Sequence, residues 1–296
     1  MQMPKKLNVF IEENVLKIDK MLAHILSGEN TPNTLQSSMV YSVNAGGKRI
    51  RPLLVLATLE DLGVTSKDAL KVACAVELVH AYSLIHDDLP CMDDDDFRRG
   101  KLTNHKVYGE AMAVLAGDAL QAIAFETLTD LSNTSPKVAI KLIRLLTIAS
   151  GARGMVAGQV LDIEGEEKVL TLQELEAVHL NKTGALLSFC IEAAAVLAEV
   201  DEEKMKSLKA FAENIGLAFQ IQDDILDITS TTEELGKNAG SDETLNKMTY
   251  PTILGLDGAK KQLSHHHQLA KDSLPFFDDE QSLLILFADY IVERKF

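Results

Sequence analysis

The sequence predicts an all-α protein, and three observations carry that prediction. Apolar residues recur at helical spacing almost everywhere, while strict alternation is scarce. Gly and Pro fall mainly between the periodic segments. The chain has 296 residues, 46% of them hydrophobic, with no internal repeat and no low-complexity linker. Together these predict one domain over residues 1–296, built from about ten or more helices of ordinary length.

The elements follow in chain order. Period-3.6 patterns predict helices over Leu53 to Leu62, Ala69 to Ile85, Ala111 to Leu131, Lys137 to Gly151, Thr183 to Leu197 and Ser207 to Ile228. Pro32, Gly46-Gly47, Gly63, Pro90, Gly100, Pro136, Gly165 and Gly236 punctuate them. Thr171 to Glu174 fits a capping box that opens a further helix. Thr229 to Thr249 is poorly patterned and reads as a loop over a site.

Composition narrows the function. A net charge of −15 argues against nucleic acid or anionic membrane as a partner. No uninterrupted apolar run reaches the roughly 18 residues of a membrane span. The N-terminus carries charges throughout and has no signal-peptide core. Cys74, Cys91 and Cys190 form neither a disulfide framework nor a CxxC pair, so the expected location is the reducing cytoplasm.

Two aspartate clusters dominate the chain. Asp87-Asp88 and Asp93 to Asp96 close one apolar helix, and Asp223-Asp224 with Asp227 end another. Carboxylates beside buried helices need compensation. A hard divalent cation such as Mg2+ supplies it, shared with phosphates. Asp223 and Asp227 are four apart and lie on one helical face. Pro90 disfavours helix at Leu89, which lets Asp93 swing back toward Asp87. Either cluster alone reads equally well as a solvated acidic face. Gly46-Gly47-Lys48-Arg49-Ile50-Arg51 adds a basic element. The glycines allow close backbone approach to an anion, and a helix starting here would put Lys48 and Arg51 on one face. His80 lies two turns before Asp87 on the same face.

With GGKRIRP (46–52), HAYSLIHDDLPCMDDDDFRRG (80–100), KTG (182–184), FQIQDDILD (219–227) and LGKNAGSD (235–242), the chain resembles the short-chain trans-polyprenyl diphosphate synthases, bacterial farnesyl type in particular. The resemblance implies a helical bundle of the isoprenoid synthase type around a deep central apolar cavity, assembled as a homodimer. It implies Mg2+, or Mn2+, bound by Asp87, Asp88, Asp93 and Asp223, with Asp224 and Asp227 as supporting ligands. It implies isopentenyl diphosphate on Gly47, Lys48, Arg51, His80 and Arg99. The allylic diphosphate then falls to Arg98, Lys182, Thr183, Gln220, Lys237 and Lys247, with Lys182, Thr183, Gln220 and Asp223 nearest the chemistry.

Helix geometry bears on product length. Ser83 lies one turn below Asp87, and Tyr82 about 7 Å below it along the axis. A bulky ring there would floor the cavity, and the resemblance implies that an aromatic at this place, with the Pro90-Cys91 insertion, goes with a C15 product. Geranylgeranyl or geranyl diphosphate synthase, a class I terpene cyclase and a non-catalytic prenyltransferase subunit remain as alternatives. Asp118, within an apolar helix, reads equally as a partner of a basic active-site residue or as a structural ion pair, and Gln159 and Asp162 resemble a family stretch that faces the cavity. His265-His266-His267 diverge by about 100° per residue on a helix and cannot chelate together. Arg294 and Lys295 are candidates to close over the isopentenyl site.

Overall fold

A computed structural model describes residues 3–28, 30–166, 168–230, 247–278 and 281–294. Its helices are α1 (Lys5–Ile25), α2 (Asn33–Val43), α3 (Ile50–Asp61), α4 (Ala69–Asp87), α5 (Asn104–Tyr108), α6 (Glu110–Thr129), α7 (Pro136–Ser150), α8 (Met155–Gly165), α9 (Leu172–His179), α10 (Ala185–Leu197), α11 (Glu202–Thr229), α12 (Tyr250–Asp272) and α13 (Leu283–Glu293). A π-helical turn, Leu180–Gly184, joins α9 to α10. Among the described residues the only strands form a two-residue hairpin, β1 (Phe97–Arg98) with β2 (Lys101–Leu102).

Polarity decides which helices are central. α4 and α10 have almost no polar face and are buried along most of their length. Helices apolar on all sides belong inside a protein. α4 packs against α1, α3, α6 and α10, and α10 against α3, α7 and α11. α1 and α7 are amphipathic and lie outside them. Side-chain caps set several starts: Ser135 accepts from Val138 N, Asp201 from Lys204 N, and Thr171 with Glu174 completes the capping box. Asp61 accepts hydrogen bonds from Ser282 Oγ, Leu283 N and Leu284 N, fastening the start of α13 to the end of α3. Leu283 to Ala288 and Ile291 are core.

Three expectations need correction. The helix expected from Thr183 begins at Ala185, because Lys182 and Thr183 belong to the π turn. Lys48 and Arg51 do not share a helical face. Arg49 takes a left-handed conformation (φ 51°) at the cap of α3, leaving Lys48 in the preceding loop. Finally, Ala69–Asp87, Glu110–Thr129 and Leu172–Leu197 are long and apolar enough, by length and composition, to cross a membrane. No single run is uninterrupted, but the average over each window is high. In the first, 67% of the window is buried within the bundle.

Candidate active site

Beneath the end of α4 lies a cavity of about 490 Å3. Tyr82, Ser83 and Asp87 line it from α4, Gln159 and Val160 from α8, and Lys182 and Thr183 from the π turn. The sequence placed Asp87, Ser83 and Tyr82 on one stripe, and all three face this space. The Tyr82 ring is buried and packs edge-on against His86. Its hydroxyl makes no hydrogen bond of normal geometry, and the Gln121 side chain is the polar group that influences it.

At the cavity mouth α4 ends and the chain turns back, with Asp93 N donating to Asp87 O (2.9 Å). Burial pushes the Asp87 carboxyl up to about 6; the Lys182 ammonium opposes this and Asp93 adds to it. Asp88 is buried and held by Arg98, whose Nε and Nη2 approach it at 2.6 and 2.5 Å. Arg98 reaches it from the β1–β2 hairpin and also pairs with Asp95 at 3.2 Å. Asp94, Asp95 and Asp96 are exposed.

Across the cavity, Lys182 Nζ lies 2.7 Å from Asp162 Oδ2, and Lys247 Nζ lies 3.5 Å from the same oxygen and 3.8 Å from Asp93 Oδ1. Burial raises the Asp162 carboxyl, but Lys182 and Lys247 outweigh it and hold it below the usual range. Asp162 is therefore the shared counter-ion of two lysines. The π turn that carries Lys182 is a form that recurs at functional sites. Gly158 makes it possible: a Cβ there would lie 2.0 Å from Lys182 N.

Further basic residues gather around His80. Arg99 Nη1 donates to Gly46 O, and its guanidinium fills the space a Cβ on Gly47 would need. His80 lines both the large cavity and a smaller one shared with Arg98 and Arg99. Burial, with Arg51, Arg99, Arg98 and Arg49 nearby, holds its imidazole well below the usual range, so it is neutral at pH 7. Arg51 Nε is buried with no hydrogen-bond partner among the described residues. Arg51 lines the large cavity, and an orphaned buried guanidinium donor there suits an anion. Burial, reinforced by Arg294, lowers Lys48 to about 8 against the pull of Asp223. Arg49 is committed to structure: it pairs with Asp19 (3.0 Å) and Glu77 (2.8 Å) and donates to Val43 O.

The second cluster is split between tasks. Asp223 pairs with Arg294 Nη2 at 2.6 Å, and Arg294 also lies over the Phe219 ring. Asp224 is buried and accepts the Tyr250 backbone N–H at 2.9 Å, which turns it away from the cavity. Asp227 is buried, and Gln220 is half-buried outside the cavity lining; the neighbouring Gln222 donates to Arg294 O. Among the described residues no three His, Cys, Asp or Glu side chains converge as a metal-ligand set. Asp88, Asp162, Asp223 and Asp224 each already hold a cation or an N–H group. Asp87 and Asp93, close together and under-neutralised, are the oxygens that best fit a hard divalent cation.

Other sequence candidates resolve plainly. Lys237 and Lys295 lie outside the described residues, as does most of the loop from Thr229 to Thr249. Asp118 is exposed on α6 and pairs with no active-site residue. His266 and His267 bond separately to Asn214 and Asp289. The sequence marks Asp162 and Arg294 but not their partners, Lys182 with Lys247 and Asp223. Glu77, a charged residue three before His80 in an apolar helix, is the sequence signal for the buried Arg49 pair.

A helical bundle enclosing an apolar cavity, rimmed by carboxylates, lysines and arginines, defines an isoprenoid synthase helical fold. The crystal structure of an FPP/GFPP synthase from Zymomonas mobilis is similar at a TM-score of 0.87 and 41% identity, covering 97% of this chain and 99% of that one. This chain belongs to the Polyprenyl synthetase family, whose pattern matches residues 32–274. It is 47% identical to the farnesyl diphosphate synthase of Bacillus subtilis (strain 168), over 99% of each chain. It is 44% identical to a chloroplastic geranylgeranyl pyrophosphate synthase of Capsicum annuum, over 98% of this chain and 79% of that one.

Proposed function

We propose that the protein is a prenyltransferase that joins isopentenyl diphosphate to dimethylallyl or geranyl diphosphate, giving (E,E)-farnesyl diphosphate and inorganic diphosphate. One observation carries the reading. A mostly apolar cavity of about 490 Å3 opens onto Asp87, Asp93, Lys182 and Lys247, with the basic residues Arg51, Arg98 and Arg99 gathered around His80 beside it. Two anion sites around one apolar space suit a two-substrate condensation. Isopentenyl diphosphate takes the pocket of Gly47, Lys48, Arg51, His80 and Arg99. The allylic diphosphate takes Lys182, Lys247, Thr183 and Arg98, the last after loosening from Asp88. Asp87 and Asp93, with Asp223 once Arg294 moves aside, hold Mg2+, which when bound neutralises diphosphate charge.

The lysines stabilise the departing diphosphate as the allylic C1–O bond breaks. The cavity wall of Tyr82, Leu186 and Met155 keeps water from the allylic cation. The double bond of isopentenyl diphosphate then forms the new bond to C1. A proton leaves the adjacent carbon to the released diphosphate, so no side-chain nucleophile is consumed. Residues 1–296 act as one domain, as a homodimer in the cytoplasm.

The test is incubation with Mg2+, isopentenyl diphosphate and geranyl diphosphate. A C15 product is expected. Release of diphosphate without elongation would instead identify a cyclase, and no turnover would identify a non-catalytic subunit. A geranylgeranyl synthase is the second reading, and Tyr82 separates the two. Tyr82→Ala removes the ring from the cavity floor and should shift the main product to C20 or longer; an unchanged product profile in chain-length analysis would refute the floor.

A further inference from the structure

Three elements meet beneath the second aspartate cluster. The rings of His179 and Tyr250 stack at 5.8 Å with an interplanar angle of 9°. Tyr250 is fully buried, its hydroxyl 3.2 Å from Glu176 Oε1. Its backbone N–H donates to Asp224 Oδ2 at 2.9 Å, and His179 Nε2 lies 3.4 Å from that oxygen. α9, α11 and α12 are therefore pinned at one point.

Both active-site lysines hang from this point. His179 is the last residue of α9, and the π turn with Lys182 follows at once. Tyr250 is the first residue of α12, and Lys247 lies three residues before it. The two lysines converge on Asp162. Long flexible ammonium side chains hold a shared geometry only if their backbones are fixed relative to each other. The His179–Tyr250 stack, with the Tyr250 hydroxyl on Glu176, is direct side-chain contact between the two backbone segments that carry them.

We propose that His179 and Tyr250 are positioning residues that set the spacing of Lys182 and Lys247 for the allylic diphosphate. The proposal rests on the prenyltransferase reading above. Neither ring is among the residues that line the cavity.

The experiment compares Tyr250→Phe, which keeps the ring, with Tyr250→Leu, which removes the stack. His179→Phe and His179→Ala form a second pair, in case Tyr250→Leu does not fold. The ring-deleting variants should raise KM for geranyl diphosphate about tenfold and leave KM for isopentenyl diphosphate within about twofold. The ring-keeping variants should restore the geranyl diphosphate value. A merely structural role would lower Tm and move both KM values together, and that result overturns the proposal, as does no change in either. If the wild-type protein turns over neither substrate, the prenyltransferase reading fails. The anchor is then tested by inorganic diphosphate binding, which the ring-deleting variants should weaken about tenfold and the ring-keeping variants should not.

Discussion

Gly158→Ala is expected to lose about 100-fold in kcat/KM, the effect of displacing a substrate-positioning group by roughly 1 Å. The reason lies in backbone, not side chain. A methyl at position 158 would stand 2.0 Å from Lys182 N and 2.4 Å from Lys182 Cα. Neither atom belongs to a flexible tip that can swing away. The π turn must move outward, and Lys182 moves with it, away from Asp162. Overpacking of this kind destabilises by about 1–3 kcal/mol, which in a chain of this size lowers Tm by several degrees. Steady-state kinetics and a thermal melt check both parts. An alanine variant with wild-type kcat/KM would show that α8 slides without carrying Lys182. The same close approach explains why a single glycine inside α8 is tolerated despite its helix penalty.

What could be read from the sequence follows from where the information is local. The helical period, the capping box at Thr171 and the Asp87–Ser83–Tyr82 stripe depend on residues within a few turns of each other, and the structure has them as expected. Carboxylate partners depend on tertiary contacts. Nothing near Asp224 in the chain says that it receives the Tyr250 N–H, and nothing near Asp223 says that Arg294 lies on it. The π turn was also hidden, because nothing local in Leu180 to Gly184 separates a π turn from an α turn, whereas the tertiary crowding of Gly158 against Lys182 does. The misplaced shared face of Lys48 and Arg51 has a similar cause. The left-handed turn at Arg49 is held by Asp19 and Glu77, one 30 and the other 28 residues away.

Asp87→Asn should have the largest catalytic effect of any isosteric change in this chain. Among the carboxylates at the mouth, Asp88, Asp162 and Asp223 each sit within 2.7 Å of a cationic nitrogen. Asp87 makes no such contact, and its neighbour Asp93 meets Lys247 only at 3.8 Å. Burial and that second carboxylate leave Asp87 with unmet demand for positive charge, which its rise to about 6 expresses. Such a group is a sink for a hard cation, and the amide retains the shape while removing the charge. The expected loss in kcat is about 10^3-fold, equivalent to about 4 kcal/mol of transition-state stabilisation. Tm should hold or rise, because the amide relieves a buried charge. Asp94→Asn, on the exposed rim, should change kcat less than about threefold, as surface charge changes usually do. Equal losses in the two variants would mean that the whole acidic run acts through its summed field rather than through one placed oxygen. A loss at Asp87 alone, with Tm unchanged, assigns the metal-binding role to the end of α4.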